Sequence, residues 1–243
     1  MKLKSILLIA IGVIIIAYPI VNNTYTKYKQ QVMLNEWEKE MQKREQTSKS
    51  LDNSADDESN ENQDELTEDP SEDAVESYLS LQNLYPQIEE DDEDAENENS
   101  TQNDSSANET IETIGVLKID KIKAKLPVMN GTSASILKLG VGKIAGTSDF
   151  GEIGNTALSA HRSHSYGRNF NRLNEVKEGD PVSITTMDAV YNYEVFNILI
   201  VEPSDVSVLK KSKTESILTL ITCHPLYTAT HRLIVQAKLL PEQ

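Results

Sequence analysis

Residues 217–239 read Ile-Leu-Thr-Leu-Ile-Thr-Cys-His-Pro-Leu-Tyr-Thr-Ala-Thr-His-Arg-Leu-Ile-Val-Gln-Ala-Lys-Leu, and this stretch decides the fold. Two β-type runs, Ile217–Cys223 and Arg232–Leu239, flank a short polar segment, which predicts neighbouring antiparallel strands. Such pairing brings Arg232 beside Cys223. The chain has 243 residues and one cysteine, so Cys223 cannot be half of an internal disulfide. A small core residue, an intermolecular crosslink and a reactive nucleophile remain open. A nucleophile needs its thiolate form, which an adjacent imidazolium supports, and acyl transfer needs a donor aimed at the developing oxyanion. Arg232 suits the second role. His161, in Ser159-Ala160-His161-Arg162, suits the first, although spacing alone does not bring it to the thiol.

Working outward, the same texture begins at Ile114: short β-type runs separated by Gly, Pro, Asn and Asp. Further candidate strands are Gly115–Ile119, Ala124–Val128, Thr156–Ala160, Pro181–Thr186 and Val190–Val201. Ser133–Leu139 reads as a short helix opened by a serine cap, and Asn169–Leu173 as a turn. Many strands with brief helices in residues 114–243 predict an all-β fold, a closed or nearly closed barrel of seven or eight strands.

The amino-terminal half is different. Residues 5–21 carry no charge and lie between Lys2 and Lys4 on one side and Lys27 and Lys29 on the other. This predicts an uncleaved membrane anchor with residues 1–4 cytoplasmic, a signal peptide being the rival reading. Everything after residue 22 is then outside the cell. Residues 22–49 are expected to form a juxtamembrane helix with Val32, Met33, Trp37 and Met41 on a thin apolar stripe. Residues 50–113 are expected to be an acidic, largely disordered linker. The net charge of −16 originates there: residues 51–113 hold 23 Asp and Glu and no Lys or Arg, leaving 16 acidic against 23 basic residues elsewhere. Without a concentrated basic face, nucleic acid is excluded as a partner. One apolar patch interrupts the linker at Ala74–Ile88, and we expect it to form a short helix that docks on the folded domain.

Thr219-Leu220-Ile221-Thr222-Cys223 resembles the TLxTC signature of sortases, the cysteine transpeptidases of Gram-positive surfaces. Ser-Ala-His-Arg at 159–162 is similar to their histidine segment, and Thr230-His231-Arg232-Leu233-Ile234-Val235 to the strand carrying their arginine. The resemblance covers roughly residues 114–240. It implies that Cys223 attacks the Thr–Gly bond of an LPXTG-like sorting signal. His161 would act as acid and base, and Arg232 would stabilise the oxyanion or hold the substrate. The acyl group would pass to an amine of a cell-wall precursor of lipid II type. Val201-Glu202-Pro203-Ser204-Asp205-Val206-Ser207-Val208-Leu209 resembles the family's substrate loop. Val201, Pro203, Ser204, Val206, Val208 and Leu209, with Ser159, Ala160, Ile221 and Thr222, are therefore the expected groove residues.

Some sortases of class A bind calcium through acidic residues that include one in this loop. Here the corresponding position holds Lys211, among Lys210 and Lys213, so no metal site and no cofactor is expected. Asp69-Pro70-Ser71 lacks the aromatic residue of pilus-polymerase lids, which points to class A or class D. His164, His224 and His231 are lesser candidates; four histidines and one cysteine show no zinc spacing. Two alternatives stand beside a transpeptidase. One is a cysteine hydrolase or protease with water as acceptor, the other a non-catalytic, membrane-tethered binding module. A signal peptidase would need a Ser/Lys pair that the sequence does not offer.

Overall fold

The computed structural model describes residues 24–44, 68–93 and 111–241. Its centre is a closed barrel of eight strands: β1 Thr113–Ile119, β2 Ala124–Asn130, β3 Val141–Lys143, β4 Gly154–Ser159, β5 Pro181–Thr185, β6 Val190–Val201, β7 Ser216–His224 and β8 His231–Leu239. Around the circle they run β1-β2-β3-β4-β7-β8-β6-β5, and β5 closes back onto β1. Helix α1 covers residues 24–44, α2 Glu72–Glu93 and α3 Ala134–Leu139.

Seven strands fall where the β-type runs predict them. The eighth, β3, is three residues long and contains Gly142, so it carries no period of its own. Gly142 is required by packing: a Cβ there would lie 2.3 Å from the Gly131 carbonyl oxygen. α3 starts as expected, the Ser133 hydroxyl accepting from the Ile136 amide at 3.4 Å.

Side chains alternate across each strand, so the barrel has two distinct faces. Leu218, Leu220, Leu233, Val235 and Ala237 fill the interior with Leu117, Leu158, Ala160 and Phe170. Ile221, Cys223 and Ile234 point outward, where they meet Ala157, Leu137, Val208 and Leu209. Outward strand positions are ordinarily wet. In β7 the outward positions Ile217, Thr219, Ile221 and Cys223 are all buried.

What covers them is α2. Ala74, Tyr78, Leu81 and Tyr85 recur every three or four residues and make one buried stripe lying on the outer face of β7 and β8. The sequence stretch read as a disordered linker therefore contains a 22-residue helix, and the docking expected of Ala74–Ile88 is present through Tyr85. Local composition is acidic, but four large or small apolar side chains on one face suffice to bind a helix to a matching surface.

α1 packs on another side of the barrel, burying Leu34 and Trp37 against Val116 with Met41 and Met187 at the margin. Residues 5–21, the expected anchor, lie outside the described residues, as do 45–67 and 94–110 of the expected helix and linker. Among the described residues no helix is long and apolar enough to cross a membrane.

Candidate active site

β7 and β8 pair antiparallel with Cys223 directly opposite Arg232. Directly opposed residues share a face, so thiol and guanidinium stand together on the outside of the barrel. β4 runs parallel to β7 with Ser159 opposite Ile221. The pairing continues one step beyond β4, through Ala160 N–H to the Ile221 carbonyl at 3.2 Å and the Thr222 hydroxyl to the Ala160 carbonyl at 2.8 Å. Two residues past the Ser159–Ile221 pair, His161 and Cys223 occupy corresponding positions at the ends of neighbouring strands. All three groups thus gather at one end of β4, β7 and β8, and all are buried: Cys223 0%, His161 1% and Arg232 3% exposed.

The cover over them is Tyr85 of α2. Its hydroxyl makes a very short hydrogen bond with the Ser159 hydroxyl and lies 3.5 Å from the Ala160 carbonyl oxygen. Its ring lies 4.9 Å beneath the Arg232 guanidinium, a cation–π contact. Burial drives the Tyr85 hydroxyl well above the usual phenol range, with the neighbouring Cys223 adding to the rise. Tyr78 is pushed up to about 12, again chiefly by burial. The Arg232 guanidinium is further held by the Ala229 and His231 carbonyls, both at 3.0 Å.

The expected groove residues divide by face. Ser159, Ile221, Val201, Val206, Val208 and Leu209 lie on the outer side in contact with α2 or its neighbours, and the Pro203 carbonyl accepts from Gln82 Nε2 at 3.1 Å. Ser204 is exposed at the edge of the same loop. Ala160 and Thr222 face the other way: Ala160 belongs to the barrel core, and the Thr222 hydroxyl is spent on a backbone carbonyl. They hold β4 to β7 from within.

Three residues of the site were not singled out from sequence. Asn155 on β4 donates to the Val208 and Lys210 carbonyls at 3.0 and 3.1 Å and accepts from Thr219 at 2.7 Å, pinning the loop after β6. Arg162 donates to the Cys223 carbonyl at 3.2 Å, approaches His224 Nδ1 at 3.0 Å and reaches Asn174 at 2.8 Å. His224 is consequently held below the ordinary histidine range, first by burial and then by the Arg162 charge. Tyr85 is the third. Only its apolar period was visible beforehand, since hydrogen bonds to residues 74 and 75 positions away leave no local trace.

The other histidines find ordinary partners. His164 stacks on Tyr227 with ring centroids 5.0 Å apart, and His231 lies 3.3 Å from Glu202. Asp149 pairs with Lys143 at 2.9 Å, while Glu152 accepts from the Asp149 amide at 3.2 Å. Lys211 exchanges backbone hydrogen bonds with Glu68 just ahead of α2. Among the described residues no group of three acidic, His or Cys side chains converges as a metal site would require.

The Cys223–Arg232 pair faces outward on adjacent strands, with His161 at the end of the next strand, so a thiol, a guanidinium and an imidazole share one end of the barrel. Residues 117–240 match the family model of the sortase domain, about half of the chain, and the protein belongs to the sortase family. It is 33% identical over 117 residues to sortase D of Bacillus subtilis, covering 48% of this chain and 57% of that one. It is 33% identical over 132 residues to sortase A of Streptococcus agalactiae, covering 52% of each. The matches therefore span little more than half the length of these curated relatives. Among solved structures, sortase C of Streptococcus pneumoniae superimposes with a TM-score of 0.52 at 29% identity, over 71% of this chain and 90% of that one. A lid mutant of sortase A from Corynebacterium diphtheriae gives 0.53 at 27% identity, over 71% and 97%.

Proposed function

We propose that this chain is a membrane-anchored transpeptidase that cleaves an LPXTG-like sorting signal and joins the product to a cell-wall amine. The observation that carries the reading is the opposition of Cys223 and Arg232 on the outer face, in line with His161. The Cys223 thiolate attacks the Thr carbonyl, forming a carbon–sulfur bond. Arg232 receives the oxyanion charge as the tetrahedral intermediate forms. His161 gives its proton to the departing Gly nitrogen as the carbon–nitrogen bond breaks. An incoming amine then attacks the thioester, His161 takes its proton, and the thiolate leaves.

The sorting signal lies along the outer face of β4 and β7, walled by Val201, Val206, Val208 and Leu209. That is where α2 now rests. The described conformation is accordingly a closed state in which Tyr85 stands in for the reacting peptide, and α2 leaves for turnover. The membrane tie is residues 5–21, with Lys2 and Lys4 inside and the barrel outside.

The test is ligation. The full chain in detergent, given LPXTG and LPXTA peptides and an amine, is expected to yield an amide product by mass spectrometry. Cys223→Ala abolishes it, and His161→Ala and Arg232→Ala lower it by about a hundredfold or more, as removal of a general acid or an oxyanion donor does. Hydrolysis with no amide at any amine concentration would replace transfer by peptidase activity. Full activity in Cys223→Ala would remove the enzyme reading.

A further inference from the structure

α1 does not run along an arbitrary side of the barrel. Near its start, Thr26 lies 3.4 Å from the buried Arg168, and Gln30 donates to Asn169 at 2.7 Å. Both partners belong to the loop that begins with His161, whose own carbonyl accepts from the Phe170 amide at 3.2 Å. Near its far end, Lys125 pairs with Glu38 at 2.5 Å and Arg44 with Asp188 on the β5–β6 turn at 3.5 Å. The helix thus spans from the catalytic end of the barrel to the β5–β6 turn, with its first residues at the catalytic end.

Two further observations concern that end. Tyr25 and Tyr28 are 54% and 66% exposed on the first turns of α1, with Lys29 placed 5.1 Å over the Tyr25 ring and Lys27 exposed beside them. Tyr166, in the loop after His161, and Tyr227, in the loop after Cys223, are each 73% exposed, and the contact of His164 with Tyr227 joins the two loops. Every exposed tyrosine among the described residues lies at this end. Exposed tyrosines with lysines are the composition of a membrane–water interface. Chain length adds a limit: five residue steps separate Val21, the last of the apolar run, from Thr26, and they reach at most about 18 Å however they are arranged.

We propose that the barrel end bearing Cys223 and His161 is seated on the lipid headgroup layer through Tyr25, Tyr28, Tyr166 and Tyr227, with Lys27 and Lys29. This rests on the reading of residues 5–21 as the anchor. The active site then works at the membrane surface, and an acceptor amine carried on a lipid meets the thioester without leaving that layer. A spacer that raises the catalytic domain above the membrane is then not required.

The experiment uses the full chain carrying Cys223→Ala, with a single cysteine at Tyr166→Cys, Tyr227→Cys or, as the distal site, Asp188→Cys. Each is labelled with a small fluorophore and reconstituted into phosphatidylglycerol–phosphatidylcholine vesicles containing a headgroup nitroxide lipid. Quenching is expected to be several-fold stronger at 166 and 227 than at 188, because eighteen helical residues separate Thr26 from Arg44 by about 27 Å. Tyr25→Ser with Tyr28→Ser is expected to weaken quenching at 166 while the chain still floats with the vesicles. Equal quenching at the three sites, or the strongest at 188, overturns the proposal and leaves the anchor intact. Failure of the full chain to float with vesicles overturns the anchor reading itself. Protection of 166 and 227 by soluble muropeptides without lipid quenching would make the tyrosines a glycan platform instead.

Discussion

Asn155 shows how one buried amide shapes a binding wall. Its three hydrogen bonds are the tie between the barrel and the loop carrying Val208 and Lys210. Asn155→Ala takes away the buried Val208 carbonyl's donor and the Thr219 hydroxyl's acceptor, which costs roughly 1 to 3 kcal/mol of stability. Thermal unfolding should register that loss, and KM for a sorting peptide should rise more than kcat falls. Lys211 carries a second expectation. Its backbone bonds to Glu68, and the neighbouring Lys213 stands 3.7 Å from the Glu68 carboxylate. A cation cannot gather oxygen ligands among such amines. Ligation rates in excess EDTA and in millimolar calcium should therefore agree within about twofold; clear activation by calcium would refute the assignment. Cys223, His161 and Arg232 were legible as single letters because their chemistry is rare and their order is informative. Asn155 and Arg162 were not. Their importance arises from carbonyls brought near by folding, and one asparagine in a strand looks like any other.

Among elements, α2 is the one that covers the site. Its seat needs Gly146, whose backbone has φ +73 and whose absent Cβ would fall 2.5 Å from the Ser71 hydroxyl and 2.7 Å from the Ala74 amide. Gly146→Ala should dislodge the start of α2 without touching a reacting group, and Tyr85→Ala should remove the plug. Burying one large apolar side chain contributes about 1.5 to 3 kcal/mol, so either change should raise the alkylation rate of Cys223 about tenfold or more. An unchanged rate would mean that α2 does not control access. Alkali offers an independent probe. Tyr78 and Tyr85 hold their protons more tightly when α2 is docked, Tyr78 up to about 12 against an ordinary value of 10.0. The docked state binds more protons, so its stability is full below pH 10 and falls as pH rises toward 12. Tyrosinate absorbance and near-UV dichroism should change together in that window, and Tyr78→Phe with Tyr85→Phe should shift the release to higher pH. The apolar period of α2 was visible in the sequence, as was the unbroken apolar character of Ile217–Cys223. What hid their connection was composition: acidic surroundings resemble a disordered chain when averaged, while docking depends on one stripe.

For the whole molecule, strand order was the part that could not be read. Seven strands announced themselves by β-branched runs between turn residues, but the adjacency of β4 and β7 is a contact between segments about sixty residues apart. No local pattern encodes it, and the meeting of His161 with Cys223 depends on it. The distribution of charge was legible, but the contact of the Glu68 carboxylate, 3.7 Å from Lys213 on the barrel's lysine-bearing loop, was not.

Closure of the ring has a consequence for the nucleophile. In an open sheet β7 could slide by one residue along its partners, and every side chain would exchange faces. The sulfur would then turn inward among leucines and valines, chemically silent. Here β7 is fastened on both sides, to β4 and to β8, and those strands are tied onward until the circle returns to itself. A slip would have to break pairings all the way round, so the direction in which Cys223 points is guarded by hydrogen bonds on the far side of the molecule.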